Sequence, residues 1–392
     1  MQQPEGFIKP GTEHLVCKLN RGLYGLKQSR RVWHHTLKRT LESLGFKSGL
    51  ADTTVYFRFG NHGSVQICGW YVDDGLLASN SEEGMKHMLK DINGSFDIQD
   101  LGDPTRLLGI KITRNRELGT IHISQPSFID TIARRLNITP GRPITSPMDS
   151  SIELRSSSDS DDSINIPYAS AVGSINYCAV STRPDIAYAV NKCAQFSSRP
   201  NLMHWDAVKR IIRYLLHTRE HGILYKRDGN GLQCYAHDLA GFADADYAGD
   251  TNDRKSTTGW VFTFNGAPIS WASKKQNHVT RSSMESELVA GSFASAEGIW
   301  LIRLGTDFQH IFHPIPIFVD NQSAMAFSNN DINHSRTKHI DVHYHYTREQ
   351  IQLGNIQLHF ISGNDNPADI LTKPLSPRKH VYLLDLLGVC RA

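Results

Sequence analysis

Two sets of carboxylates carry the chemistry of which this sequence is capable. The first is the adjacent pair Asp73 and Asp74, in Trp70–Tyr71–Val72–Asp73–Asp74–Gly75. The run from Val65 to Leu77 reads as a hairpin with its turn near Gly75, which puts both acids at a strand tip. Adjacent strand side chains point to opposite faces, so a shared cation requires turn geometry. Like charges this close repel unless a cation lies between them. The second set is dispersed: Asp244, Glu287, Asp320 and Asp369. Asp244 and Asp320 end apolar, strand-like runs, and Glu287 and Asp369 fall in the first turns of helical stretches. Acids delivered in this way can converge at one edge of a sheet. Hydrolysis of a phosphodiester needs an activated water and a neutralised leaving oxygen, which two Mg2+ ions roughly 4 Å apart supply. Mg2+ prefers hard oxygen donors, so an acidic set without Cys or His suits it, with Mn2+ as a substitute. A single acid is ordinarily a helix cap or a solvated turn; the pattern carries the reading.

Composition bounds the rest. The chain has 392 residues, 39% hydrophobic and 21% charged, with a formal net charge of +3 before its 19 histidines are counted. That is a globular composition with room for two or three domains. Any nucleic-acid surface must come from local basic clusters. Six scattered cysteines give neither a zinc signature nor a disulfide framework, which fits an intracellular compartment, cytoplasmic or nuclear. No apolar run is long enough to span a membrane, and no membrane partner is expected.

The elements that must position the acids follow from periodicity. A helix is expected from about Ser29 to Leu44, with Lys27, Arg30, Arg31, Lys38 and Arg39 off its apolar stripe. Ile121–Gln125 alternates as a strand, and Phe128–Leu136 reads as a short helix. Ser156 to Ser163 is a polar linker. Thr182 caps a helix opened by Pro184, with Asp185 at its positive end. Val208, Ile211, Ile212, Leu215 and Leu216 form one helical stripe. From Gln233 a first strand, including Cys234 and Ala236, ends in Ala243–Asp244–Ala245–Asp246. A hairpin follows about Asn265–Gly266. Glu285–Leu288 opens a long helix, Ile315–Val319 is a strand, and Arg336 to Leu353 is helical. Ile356–Ile361 is a strand, and Asn366–Pro367 starts the last helix.

The flanking residues are specific. Leu23–Tyr24–Gly25–Leu26–Lys27–Gln28 followed by Trp33, and Gln3–Pro4–Glu5–Gly6–Phe7, resemble the polymerases of Ty1/copia retrotransposons. Tyr71–Val72–Asp73–Asp74 resembles the metal-binding turn of reverse transcriptases, and Leu108–Gly109 their primer-gripping turn. Gly241–Asp250, Arg254–Gly259, Ile269–Gln276, Asp320–Ala324, Arg336–Asp341 and Ala368–Leu375 resemble the same elements' ribonuclease H. The resemblance covers nearly the whole chain. It selects Asp244 over Asp246 and Glu287 over Glu285. The family's Ala-Pro-Arg after Gln28 is replaced by Ser29–Arg30–Arg31. The histidine that some ribonucleases H carry before the last aspartate is absent from Ser362–Asn366, which implies slower product release.

The resemblance implies an α/β fold. An RNase H-like mixed sheet with helices at 231–392 is preceded by a partial reverse-transcriptase palm and thumb (1–155), a linker (156–164) and a helical connection (165–230). It implies Mg-dependent cleavage of the RNA strand of RNA–DNA hybrids. An RNA template and a DNA primer are the polymerase's partners. Lys27, Gln28, Lys274, Arg336, Lys338 and His339 are the implied nucleic-acid contacts. Reverse transcriptases take a third carboxylate from an upstream apolar strand, and Glu5, Glu13, Glu42 and Asp52 are not so placed. The expectation is that the chain begins after that strand and that polymerase activity is lost. Two other readings stand beside this one: a non-catalytic nucleic-acid-binding relic and a DDE integrase-like transferase. His339, Asp341, His343 and His345 suggest zinc weakly.

Overall fold

The computed structural model describes residues 1–60, 63–157, 166–227, 239–310, 312, 314–329 and 341–391, with backbone alone at 326–329 and 341. The chain divides into two compact units, Met1–Gly102 with Arg303–His310, and Asp103–Ile302 with Ile311–Ala392.

The first unit contains α1 (Ser29–Ser43), β1 (Lys47–Ser48), β2 (Val55–Phe59), β3 (Val65–Tyr71), β4 (Asp74–Ser79) and α2 (Glu82–Asn93). Its four strands run in order β1-β2-β3-β4, all antiparallel. Leu37 and Leu41 of α1 and Met88 and Ile92 of α2 pack with Tyr56 and Cys68 of the sheet. Ser81 caps α2 by accepting from the Gly84 N–H, and Glu82 and Glu83 occupy its first turn, where the helix dipole favours negative charge. The hairpin turn lies before Gly75, the residue near which it is expected. Tyr71 pairs with Asp74, so Val72 and Asp73 make the turn, Val72 with a φ of 56°. Gly75 lies in β4, where a Cβ would come within 2.8 Å of the Trp70 ring.

The second unit begins with β5 (Arg106–Leu107), β6 (Ile110–Asn115), β7 (Thr120–Ser124) and α3 (Pro126–Arg135). Leu108 and Gly109, both at positive φ, turn β5 into β6. Then come α4 (Tyr168–Ser181), α5 (Ala187–Ala194), α6 (Leu202–His217) and β8 (His221–Lys226). The serine-rich stretch lies largely outside the described residues, as do Cys234 and Ala236. The rest comprises β9 (Leu239–Asp246), β10 (Thr257–Phe264), β11 (Ala267–Lys275), α7 (Ser283–Asp307), β12 (Ile315–Val319), α8 (Gln322–Asn329), α9 (Asp341–Gln352), β13 (Ile356–Phe360), α10 (Pro377–Leu386) and β14 (Val389–Arg391).

One antiparallel sheet runs β14-β8-β7-β6-β5, and a mixed sheet runs β11-β10-β9-β12-β13. In the mixed sheet β9 to β11 form an antiparallel meander, while β12 lies parallel to β9 and β13 parallel to β12. This is the mixed α/β arrangement expected of an RNase H-like sheet. Alternation along β9 assigns its faces. Leu239 and Ala243 pack with Ala294 and Leu301 of α7. Ala240 and Phe242 pack with Ile370, Leu371 and Leu383. Asp244 continues the second series.

Two expected helix starts are corrected. Thr182 ends α4, and its hydroxyl donates to Gln125 Oε1. Only a 3-10 turn, Pro184–Ile186, precedes α5. Asp185 does not face a helix terminus. It is buried against Arg183, which gives it two hydrogen bonds of 2.9 and 2.7 Å, and it also accepts from Tyr214. A buried carboxylate needs such partners. Asn366 does cap the segment after it, accepting from the Ala368 N–H, but that segment is the 3-10 turn Pro367–Leu371, and α10 and β14 follow. Residues 336–340 of the expected charged helix lie outside the described residues. Among the described residues no helix is long and apolar enough to cross a membrane.

Candidate active site

Asp244, Asp320 and Asp369 each offer a carboxylate oxygen within 4.8 Å of the others. Among the described residues this is the one group of three such ligands. Three elements deliver them. Asp244 is near the end of β9, Asp320 follows β12, its parallel neighbour, and Asp369 sits in the 3-10 turn against β9 and β10. Gly259 of β10 permits that approach, since a Cβ there would lie 2.7 Å from Thr372 Cγ2 and 2.8 Å from Leu371 Cβ. Asn366 fixes the turn to the sheet by donating to the Ala243 carbonyl at 2.9 Å.

Glu287, in the first turns of α7, stands outside that group of three but interacts electrostatically with Asp244 and Asp320. Its Oε1 accepts from the Ala245 N–H at 3.2 Å, and its buried Oε2 has no hydrogen-bond partner. Glu285 turns away and accepts from the Arg281 N–H at the start of its own helix. Asp246 also stands apart. Its carboxylate folds over Gly249, where a Cβ would lie 1.8 Å from Oδ2. The sequence motifs pair Asp244 with Asp246 and Glu287 with Glu285; the folded chain gives Asp246 and Glu285 different tasks.

Burial and mutual repulsion dominate the electrostatics. Burial pushes Asp244 up to about 7, with Lys373 opposing and Asp369 adding. Burial, then the charges of Asp244 and Asp320, hold Glu287 well above the ordinary carboxylate range. Asp320 is raised by burial and by Asp369. Two ammonium groups answer these charges. Lys373 Nζ lies 2.6 Å from Asp369 Oδ1 and 3.4 Å from Asp244 Oδ2. Lys379 Nζ reaches Asp369 Oδ2, and the Thr372 hydroxyl donates to Asp244. Neither lysine is evident from sequence as part of the site. The available signal is the i,i+4 spacing of Asp369 and Lys373, while Lys379 comes from the next helix. Two cations facing four carboxylates, one with an orphaned buried oxygen, leave a deficit of positive charge. An all-oxygen donor set with that deficit fits a hard divalent cation.

The other expected site residues are placed differently. Asp73 and Asp74 are exposed at the hairpin. Asp73 accepts from the Tyr24 hydroxyl at 2.8 Å, and Trp33 Nε1 donates to the Val72 carbonyl. Among the described residues they belong to no group of three ligands. Lys27 and Gln28 are exposed just before α1. Lys274 lies with its ammonium 5.1 Å from the Phe293 ring centre. Arg336, Lys338 and His339 lie outside the described residues. His343 is engaged with Ser292 Oγ.

Known proteins share this sequence over most of its length. A family model described as reverse transcriptase (RNA-dependent DNA polymerase) matches residues 1–150. The retrovirus-related Pol polyprotein from transposon TNT 1-94 of Nicotiana tabacum is 38% identical, over 99% of this chain and 29% of that protein. A transposon Ty5-1 protein of Saccharomyces cerevisiae is 30% identical, over 74% of this chain and 92% of that protein. Among solved structures, RNase H1 from the archaeon Halobacterium salinarum aligns with 34% of this chain and 93% of its own, at 16% identity and a TM-score of 0.27. The chain thus spans less than a third of the tobacco polyprotein.

Proposed function

The chain belongs to the family of copia-type retrotransposon Pol polyproteins, and from that membership we propose that its C-terminal region is a divalent-metal-dependent ribonuclease H. Its substrate is the RNA strand of an RNA–DNA hybrid. The observation that carries this reading is the convergence of Asp244, Asp320 and Asp369 within 4.8 Å, with Glu287 electrostatically coupled to two of them and too few cations to neutralise the set.

These four residues would hold the metal. When bound, Mg2+ or Mn2+ supplies an activated water and neutralises the leaving oxygen. The chain's own groups prepare that site. Thr372 orients Asp244. The Ala245 N–H fixes Glu287 Oε1 and leaves Oε2 free to bind. Gly363 makes room for Asp320, since a Cβ there would come 2.8 Å from its Oδ2. A hybrid is recognised by backbone shape and 2′-hydroxyls, for which Lys27, Gln28, Lys274, Arg336, Lys338 and His339 are the proposed contacts.

The reverse-transcriptase segment has a different standing. Asp73 and Asp74 lack a third carboxylate among the described residues, so this chain by itself is not expected to extend a DNA primer on an RNA template. Incubation with an RNA–DNA hybrid labelled on each strand tests the proposal. RNA fragments should appear with Mg2+ or Mn2+, while duplex DNA stays intact. Binding without cleavage in either metal points instead to a nucleic-acid-binding relic. Joining of donor DNA ends to a target points to an integrase-like transferase.

A further inference from the structure

We infer that Lys373 is an internal counter-cation that must leave Asp244 and Asp369 before a divalent cation can bind, so that this one side chain limits the site's metal affinity. The inference rests on the metal-binding reading of the carboxylate cluster.

The geometry assigns the role to Lys373 in particular. It is the described cation that touches two members of the cluster, at 2.6 Å from Asp369 and 3.4 Å from Asp244. Lys379 touches Asp369 alone, and it is also tied to the Gly363 carbonyl at 3.0 Å. Asp244 and Asp369 are almost completely buried. Without a cation, each would be a charge removed from water with little to replace the lost hydration. Lys373 offsets that cost in the absence of metal.

The same contact obstructs metal. A hard cation such as Mg2+ draws carboxylate oxygens to about 2.0–2.1 Å. An ammonium nitrogen at hydrogen-bond distance from those oxygens occupies the space between them, and the two cations repel. The Lys373 side chain is one-third exposed, so its flexible stem can carry the ammonium group out to water. The same displaced group is then free to meet a negatively charged substrate at the rim.

Calorimetric titration of Mn2+ into the full 392-residue chain tests this, on wild type, Lys373→Met, Lys373→Gln, Lys373→Arg and Lys379→Met. Lys373→Met and Lys373→Gln should bind Mn2+ at least about tenfold more tightly, the equivalent of one ordinary hydrogen bond to a charged group. Lys373→Arg should remain near wild type, and Lys379→Met should gain less than Lys373→Met. The metal-free melting temperature of the two neutral variants should fall and recover on adding Mn2+. Glutamine keeps a hydrogen-bond donor in place if methionine prevents folding. Mn2+ binding by wild type with no gain in either neutral variant overturns the inference alone. Absence of Mn2+ binding in all five chains overturns the metal-site reading as well.

Discussion

The hairpin pair Asp73–Asp74 and the cluster Asp244–Glu287–Asp320–Asp369 use the same functional group in opposite surroundings. The hairpin acids are exposed, and Asp73 accepts from the Tyr24 hydroxyl. The cluster acids are buried or half-buried, and burial followed by neighbouring carboxylates raises the pKa of Asp244, Glu287 and Asp320. Asp250 separates burial from crowding. It is as buried as Asp244, and burial alone would raise its pKa. Lys192 and Lys275, each 2.8 Å away, bring it below the ordinary carboxylate range instead. A buried acid with its own cations is structural. Buried acids that outnumber their cations are what the proposed metal site requires.

The largest expected contrast is in cleavage. Asp244→Asn should lower hybrid cleavage by about a hundred- to a thousandfold, as expected when a charge-stabilising group is lost, and Asp320→Asn by nearly as much. Asp246→Asn should be milder, because its carboxylate folds over Gly249. A dead Asp246→Asn beside an active Asp244→Asn would reverse the assignment on β9.

Thermal stability gives a second contrast. Metal at a hundredfold excess over its Kd stabilises the folded state by about 2.7 kcal/mol, roughly 5–10 °C for a domain of this size. Wild type and Asp73→Asn should show that rise in calorimetry, and Asp244→Asn should lose most of it. Equal loss in Asp73→Asn would erase the distinction between the two sites.

A third contrast is in pH. The folded pKa of Asp244 is about 7, against an unfolded value of about 4. Between those values the folded chain holds a proton that the unfolded chain has released, so folding loses ground as pH rises. The metal-free melting temperature of wild type minus that of Asp244→Asn should therefore fall by a few degrees from about pH 4 to about pH 7, then level off. A rising Asp244 difference would contradict the burial argument.

The smallest effect is expected at Gly363. Gly363→Ala should weaken Mn2+ binding several-fold, because its Cβ crowds Asp320, with little change in metal-free stability. Calorimetric titration would check it, and unchanged affinity would remove Gly363 from the site.

The acids themselves were legible in the sequence because each follows a strong local signal. Ile315–Val319 is a continuous apolar strand that ends at Asp320, and Asn366–Pro367 announces the turn bearing Asp369. Lys373 and Lys379 were not legible as site residues. Their role depends on which carboxylates face them through space. Asp185 was misread for a related reason: local pattern suggested a helix dipole, whereas tertiary packing gave it Arg183 and Tyr214. The hairpin turn moved to Val72–Asp73 because Gly75 is needed where the Trp70 ring crosses β4. Periodicity therefore showed which acids sit at element ends, and only the packed structure showed their counter-charges.

The most direct test places the two carboxylate sites in one assay. Wild type, Asp244→Asn and Asp73→Asn, each shown to be folded, are given a strand-labelled RNA–DNA hybrid with Mg2+ or Mn2+. The account predicts RNA cleavage by wild type and Asp73→Asn at equal rates and cleavage at least about a hundredfold slower by Asp244→Asn. An Asp244→Asn rate near that of wild type, or loss of cleavage in Asp73→Asn, would contradict it.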